Sequence, residues 1–180
     1  MRRLVVAMLA TAVVAGCASS PGSAISGRDQ TVHLSDGSSS LRIQPSDPMS
    51  TATLPYTADA IWNVMPSVFD SLGIAVGTLD PDTRVIGNTA LKVHGRLGST
   101  PLSKYIDCGQ TQGFASADTY DVHLSVLTQV SPGPGNSATI ATIVEAVARP
   151  AQFKGDYSRC ESRGELEVRI PRVVTARLRK

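Results

Sequence analysis

Two alternating segments in the second half of the chain constrain its fold more than any other feature. Residues 119–130 (TYDVHLSVLTQV) carry an apolar side chain at nearly every second position, and residues 138–148 (ATIATIVEAVA) are rich in β-branched residues. This pattern is typical of strands that cover a hydrophobic core with one face. The turn-forming residues 131–136 (SPGPGN) separate the two segments. The sequence therefore predicts a long antiparallel hairpin.

The two faces of the first predicted strand differ in polarity. One face carries only apolar and aromatic side chains, namely Tyr120, Val122, Leu124 and Val126. Asp121, His123 and Ser125 alternate with them on the opposite face, which we expect to be solvated. The alternative is that Asp121 orients the imidazole of His123 for catalysis.

A helical pattern follows a weakly alternating strand at residues 50–54. Thr57 is placed as an N-cap, Asp59 lies in the first turn, and Gly73 follows as a C-cap glycine. Seven apolar side chains recur at helical spacing: Ile61, Trp62, Val64, Met65, Val68, Phe69 and Leu72. We expect this helix to pack on the sheet. The alternative is that it grips a ligand, with Trp62, Met65 and Phe69 as candidate ligand-facing residues.

The remaining segments complete an α+β pattern. The sequence predicts a hairpin formed by residues 74–79 and 84–89, and the two aspartates between them are a residue type that favours turns. It predicts a long loop at residues 95–117. Residues 162–165 (SRGE) have the form of a capping box before a C-terminal helix. We therefore expect the helix-grip-like order β-α-β-β-β-β-α, an antiparallel sheet of about four to five strands with both helices on one face.

The charge and the histidines exclude several classes of function. With 17 Lys and Arg against 15 Asp and Glu, the chain lacks the strongly basic character of a nucleic-acid-binding protein. His33, His94 and His123 lie on separate predicted elements, without the spacing of a metalloprotease, and the sequence contains no nucleophile elbow. The sequence thus predicts no catalytic residues, no metal ligands and no cofactor.

The amino terminus has the pattern of an export signal. Arg2 and Arg3 precede an apolar run at residues 4–15 that is too short to span a bilayer. The run ends in Val14-Ala15-Gly16-Cys17, which resembles the lipobox of bacterial lipoproteins. The alternative is an ordinary secretory signal that happens to end near a cysteine.

The lipobox resemblance implies a covalent membrane anchor. It implies removal of a leader at residues 1–16, a diacylglycerol on the Cys17 thiol and acylation of the new amino terminus. Several acyl chains anchor a protein stably, whereas a single chain binds only marginally. Because Ala18 follows the cysteine in place of an aspartate, the resemblance also implies transport to the inner leaflet of the outer membrane, facing the periplasm.

Beyond the predicted leader, the chain divides into a tether and one domain. Residues 17–49 predict an acylated, flexible tether with a short hairpin or an extended tail, and residues 50–180 predict a single α+β domain. With Cys17 acylated, Cys108 and Cys160 remain in an oxidising compartment. We expect them to form a disulfide that ties the long loop to the segment before the last helix. Two free or buried thiols are the alternative.

Removal of the leader also changes the charge. The mature chain would carry 15 basic residues against 15 acidic ones, because Arg2 and Arg3 are lost. A basic surplus remains at residues 159–180, where seven Lys and Arg accompany three Glu. This surplus predicts either a solvated surface or contact with an anionic surface of the envelope.

The predicted order of elements loosely resembles a helix-grip fold, and in a lipoprotein it is similar to the small domains of NlpB-type outer-membrane assembly lipoproteins. The resemblance covers residues 50–180 and implies a membrane-anchored, non-enzymatic module that binds an envelope protein partner. The alternative is a carrier or sensor of a small apolar ligand or lipid, which would need an apolar cavity between helix and sheet. An enzyme would need His94 or His123 to converge with a carboxylate or a serine in a cleft.

The substitution Cys17→Ala tests the predicted anchor. We expect the variant to lose labelling by a radioactive fatty acid and to move from the membrane to the soluble fraction, because no other thiol lies in the lipobox. Ser19→Ala, two residues further on, is the matched control and should keep both properties. Label on the Cys17→Ala protein would contradict the prediction.

Overall fold

The computed structural model describes residues 49–152 and 155–179, together with the backbone of residues 30–33 and 40–43. Within these ranges the predicted α+β class is confirmed, with an antiparallel sheet and two long helices. Neither of these helices is both long and apolar enough to cross a membrane. The predicted leader, Cys17 and most of the predicted tether lie outside the described residues.

The regular elements follow one another along the described chain. The strands are β1 (Gln30–His33), β2 (Ser40–Ile43), β3 (Ser50–Leu54), β4 (Thr78–Asp80), β5 (Val85–His94), β6 (Arg96–Leu97), β7 (Thr100–Pro101), β8 (Ile106–Asp107), β9 (Gln110–Thr111), β10 (Phe114–Ala115), β11 (Tyr120–Pro132), β12 (Ala138–Pro150) and β13 (Ser158–Ser162). The helices are α1 (Ala58–Ser71) and α2 (Glu165–Leu178), and single 3-10 turns occur at Leu102–Lys104 and Ser116–Asp118. β1 pairs with β2 where the sequence predicts a hairpin, and the backbone of β2 approaches β12.

The predicted long hairpin, β11 and β12, forms the centre of the sheet. Its register runs without a shift from Tyr120 opposite Pro150 to Pro132 opposite Ala138. β5 pairs with the outer edge of β11, and β4 pairs with β5. The outer edge of β12 pairs with β3 at one end and with β13 at the other, and β8 lies beyond β13. The hairpin therefore supports strands on both of its edges.

Both helices pack on the same face of the sheet, as predicted. Their apolar side chains meet the apolar face of β11 and β12 in one continuous core, and the helices also contact each other. The wholly buried members include Ile61, Met65, Val68 and Phe69 of α1, Leu166, Ile170 and Val174 of α2, and Leu124 and Val126 of β11. This burial of apolar area is the main stabilising contribution to such a domain.

Helix α1 begins and ends at the predicted signals. The Thr57 hydroxyl accepts a hydrogen bond from the N–H of Ala60 at 3.3 Å. Gly73 follows the helix with a φ of +77°, and a Cβ at this position would lie only 2.7 Å from the backbone nitrogen of Gly98. The left-handed backbone and the close approach both require glycine here.

The predicted capping box of the C-terminal helix is wrong in detail. α2 begins at Glu165 after Gly164, which has a φ of +74° and provides no side-chain cap. The Ser162 hydroxyl instead accepts from the N–H of Gly164 at 3.1 Å and donates to Glu167 Oε1 at 2.6 Å. Because Ser162 is the last residue of β13, the left-handed glycine is needed to turn the chain from strand to helix.

The sheet has seven strands, more than the predicted four to five. The additional strands include β8 and β13, which are too short to show alternation in the sequence. β8 belongs to the segment 95–117, for which a long loop was predicted, and this segment instead contains five short strands and two 3-10 turns. Short irregular segments of this kind are defined by their tertiary contacts and carry little periodic signal.

The predicted disulfide between Cys108 and Cys160 is confirmed, with a Cα–Cα distance of 4.4 Å. Cys160 lies in β13, and Cys108 directly follows β8. Glu161 is opposite Asp107, so continuing this register by one residue places the two cysteines opposite each other. The disulfide therefore joins neighbouring strands at one edge of the sheet.

The turn between β4 and β5 is built on Asp80, as expected for an aspartate at a hairpin tip. Its carboxylate accepts from the Thr83 hydroxyl at 2.7 Å and from the N–H groups of Asp82 and Thr83 at 3.0 and 3.3 Å. The hydrogen bond from the Thr83 hydroxyl is the main cause that lowers the pKa of Asp80. Asp80 is thereby assigned a structural role.

Replacing both cysteines, Cys108→Ser with Cys160→Ser, tests the contribution of the disulfide to stability. The two residues are 52 positions apart, and the chain-entropy relation predicts a loss of about 4 kcal/mol in the free energy of unfolding for a loop of this size. Urea unfolding of the mature chain carrying Cys17→Ala measures the loss.

Reduction of the parent protein provides the control, because it should lower stability by a similar amount and leave the double variant unchanged. Equal unfolding midpoints for the parent and the double variant would contradict the prediction.

Candidate functional site

The interface between α1 and the sheet is filled by protein side chains. Met65 and Phe69, two of the candidate ligand-facing residues, are 0% exposed and belong to the hydrophobic core. Trp62, the third, is half-buried at the edge of that core. The two clefts described below lie outside this interface. The three residues therefore act as packing residues in this structure.

The opposite face of the sheet is polar but buried, so the prediction that it is solvated was wrong. His123 is 4% exposed and Ser125 is 1% exposed, whereas Asp121, at the start of β11, is half-buried. Gln129 and Glu145 on the same face are also buried. Alternation by itself cannot show this, because it separates the two faces without revealing whether further chain covers the polar one.

Hydrogen bonds and ring contacts pair the polar side chains of this face. His123 Nε2 lies 2.9 Å from the Tyr157 hydroxyl, and the two rings meet edge to face. The guanidinium of Arg149 lies 4.5 Å from the centre of the Tyr157 ring. Arg159 donates to Glu145 Oε1 at 2.8 Å. These contacts give His123 and Glu145 structural partners, as buried polar groups require, whereas the Ser125 hydroxyl has no hydrogen-bond partner among the described residues.

The two histidines considered for catalysis lie in different surroundings. His94 Nδ1 lies 3.3 Å from Asp121 Oδ1, and both side chains are about half exposed. His123 and Asp121 therefore do not form the pair considered from the sequence, because Asp121 contacts His94 and His123 contacts Tyr157. In the described ranges, no cluster of His, Cys, Asp and Glu could hold a metal ion.

A cleft opens at the outer edge of β12, and we call it the edge cleft. β3 pairs with β12 as far as Thr142, and β13 pairs with it from Ala146 onward. Residues 143–145 lie between these two partners at the base of the cleft, which has a volume of about 570 Å³. The opening exists because two short strands share one long edge without meeting.

The lining of the edge cleft combines an apolar wall with carboxylates. Met49, Ile143 and Val144 supply the apolar part. The charged part consists of Glu145, Arg159, Glu161 and Glu167. Three carboxylates thus accompany one guanidinium, and that guanidinium already binds Glu145.

Glu145 and Glu167 are the two buried carboxylates of this lining, and Glu145 is paired with Arg159. Glu167 has no ion-pair partner among the described residues. It lies in the first turn of α2 and is only 7% exposed. Its Oε1 accepts from Ser162, but its buried Oε2 has no hydrogen-bond partner among the described residues. A buried carboxylate oxygen without a partner is costly.

Sequence reasoning missed both Glu145 and Glu167, although each left a signal. Glu145 is the only charged residue in the apolar segment 138–148. Glu167 stands three and seven residues before Ile170 and Val174, on the apolar face of α2. A single carboxylate within an apolar pattern indicates a buried charge with a specific partner or role.

A second depression of about 650 Å³ lies between the two helices on the outer side of the domain. Val64 of α1 and Val173 of α2 form its floor, and Arg172 and Arg177 line it on the α2 side. Arg177 donates to the backbone carbonyl of Ser67 at 2.9 Å, which ties the two helices together.

Most of the basic side chains near the carboxyl terminus bind within the domain. The described pairs are Arg159 with Glu145, Arg163 with Asp107, Arg169 with Tyr105, and Arg177 with Ser67. These contacts favour a structural role for the segment over a free cationic surface.

The second 3-10 turn follows a tight hairpin that exposes an aromatic ring. Gln112 and Gly113 both have positive φ, +53° and +83°, as expected for the two central residues of a tight hairpin turn. Phe114 follows them and is 68% exposed. It is the most exposed of the large apolar side chains in the described ranges.

No protein-family model, no curated protein and no solved structure matches this chain.

A matched pair of phenylalanine substitutions tests whether the helix–sheet interface is a core or a ligand site. Phe69→Ala should lower the free energy of unfolding by about 3–5 kcal/mol, as for a buried phenylalanine, whereas the exposed Phe114→Ala should change it by less than about 0.5 kcal/mol. Urea unfolding of the purified protein measures both. Equal effects of the two substitutions would contradict the assignment of Phe69 to the core.

Proposed function

We propose that this protein is a lipid-anchored, non-enzymatic module of the bacterial cell envelope that binds a protein partner through its outer surface. In this proposal a lipid on Cys17 holds it at the inner leaflet of the outer membrane, and the α+β domain faces the periplasm. The observation that carries the proposal is the filled helix–sheet interface, in which Met65 and Phe69 have no exposed surface.

The filled interface weighs against the carrier alternative. A carrier of the helix-grip type would hold its apolar ligand between the long helix and the sheet, in a cavity of about 300–1,000 Å³. Here that space contains the core side chains of α1 and β11. Two clefts with volumes of this order open at the edge of β12 and between the helices. These positions favour a binding site on the surface of the domain over one between helix and sheet.

The confirmed disulfide supports the envelope part of the proposal. Disulfides form and persist in oxidising compartments such as the periplasm, and they are rare in the cytosol. The Cys108–Cys160 bond thus agrees with an exported protein. The resemblance of residues 14–17 to a lipobox supports the proposed mode of attachment.

The proposal is tested by two measurements on protein from intact cells. In the first, the Cys17→Ala protein is purified from the periplasm without detergent and analysed by native mass spectrometry. We expect the mass of the bare chain, because the helix–sheet interface has no space for a lipid. Recovery with one bound lipid or other apolar molecule per chain would contradict the proposal and favour the carrier.

The second measurement is chemical crosslinking in intact envelopes. We expect the acylated protein to form a defined crosslinked complex with one envelope protein, and Cys17→Ala to form much less of it because the partner and the module no longer share a membrane. Ser19→Ala is the matched control and should behave as the parent protein. A parent protein that crosslinks only at random would contradict the proposal.

A further inference from the structure

We propose that the edge cleft binds an extended segment of the partner protein, and that a lysine or arginine of this segment donates to Glu167. This inference rests on the proposed function, because it assigns the site and the chemistry of the partner. It combines two observations: an interrupted strand edge, and a lining rich in carboxylates in which Glu167 has a buried oxygen without a donor among the described residues.

The interrupted strand edge provides backbone groups for an extended segment. Within the described part of the chain, residues 143–145 of β12 pair with neither β3 nor β13 on the side of the cleft, and β2, which pairs with β1, approaches β12 without a described strand pairing to it. In an antiparallel sheet, successive residues direct their N–H and C=O groups toward opposite edges. At least one of these three residues therefore directs both groups into the gap. Unpaired strand edges bind extended peptides in this way.

The length of the gap limits the contact to a short segment. β3 closes one end at Ser50, which pairs with Thr142, and β13 closes the other at Cys160, which pairs with Ala146. The disulfide from Cys160 to Cys108 keeps β13 in place beside β8. The cleft is thus a bounded site with fixed ends, and the apolar side chains of Met49 and Ile143 can contact the segment.

The charges of the lining select a cation. Glu145 already binds Arg159 at 2.8 Å, which leaves Glu161 and Glu167 as the remaining carboxylates of the cleft. Glu161 is exposed, whereas Glu167 is 7% exposed and its Oε2 lacks a donor in the described ranges. A hydrogen bond between a cation and a carboxylate is stronger than one between neutral groups, particularly where water is excluded. A lysine or arginine side chain therefore satisfies Glu167 better than a neutral donor.

The test uses a pair of blocked six-residue peptides of alternating threonine and valine, one with a central lysine and one with a central glutamine. Each carries a fluorophore and is titrated by anisotropy against the soluble mature chain with Cys17→Ala. We expect the lysine peptide to bind at least tenfold more tightly than the glutamine peptide. Methylation of the backbone nitrogens beside the lysine should weaken binding at least tenfold, because it removes the donors for the β12 edge.

Two isosteric substitutions assign the effect to Glu167. Glu167→Gln keeps an acceptor for Ser162 but removes the charge. We therefore expect it to weaken binding of the lysine peptide at least tenfold and to leave binding of the glutamine peptide unchanged. Glu165→Gln removes an exposed charge from the same helical turn and should alter neither affinity. Urea unfolding of both variants verifies that each is folded under the conditions of the titration.

Several results would overturn the inference. Equal affinities for the two peptides, or no effect of Glu167→Gln in a folded protein, would exclude recognition of a cation by Glu167. If neither peptide binds, the edge cleft is excluded as a peptide site, and a defined crosslinked complex in envelopes would then still support the proposed function. Light scattering tests a further occupant, a second copy of this chain. Dimers that form with rising protein concentration and that Ile143→Lys abolishes would identify that copy as the occupant.

Discussion

The pairing of β11 with β12 is the interaction on which the rest of the structure depends. Thirteen consecutive residue pairs join the two strands without a register shift, which fixes the direction of every side chain on both faces. One face receives α1 and α2, and the opposite face holds the polar pairs around His123 and Glu145. Each outer edge then accepts further strands. A slip of one residue would exchange the apolar and polar faces, so all of these contacts depend on this register.

The disulfide and α2 together determine the shape of the sheet edge. The disulfide joins Cys108, just after β8, to Cys160 in the middle of β13. Tyr105, just before β8, accepts a hydrogen bond from Arg169 of α2 at 2.5 Å. These contacts hold β13 against one end of β12, whereas β3 occupies the other end. The proposed edge cleft results from this division of one edge between two short strands. The edge cleft is thus a consequence of the same contacts that stabilise the domain.

The elements that could be predicted are those with a strong local pattern. The β11–β12 hairpin followed from its alternation and its Pro/Gly-rich turn, and the start of α1 followed from Thr57. The strand β13 could not be predicted, because its five residues (SRCES) have no apolar periodicity and it exists through pairing with β12 and β8. The buried polar face was missed for a related reason, since burial of His123 depends on distant residues such as Tyr157.

The sequence by itself determined the long hairpin, the two helices and their α+β class, because each depends on residue types at short spacing. The pairing of Cys108 with Cys160 was an expectation that depended on the lipobox resemblance of Cys17, and the structure confirmed it. Only the tertiary structure decided that Met65 and Phe69 are packed, that Glu167 is buried with an unpaired oxygen, and that β12 has a gap in its edge. These features arise where segments far apart in the chain meet. Their geometry depends on packing and strand register, which no local pattern records.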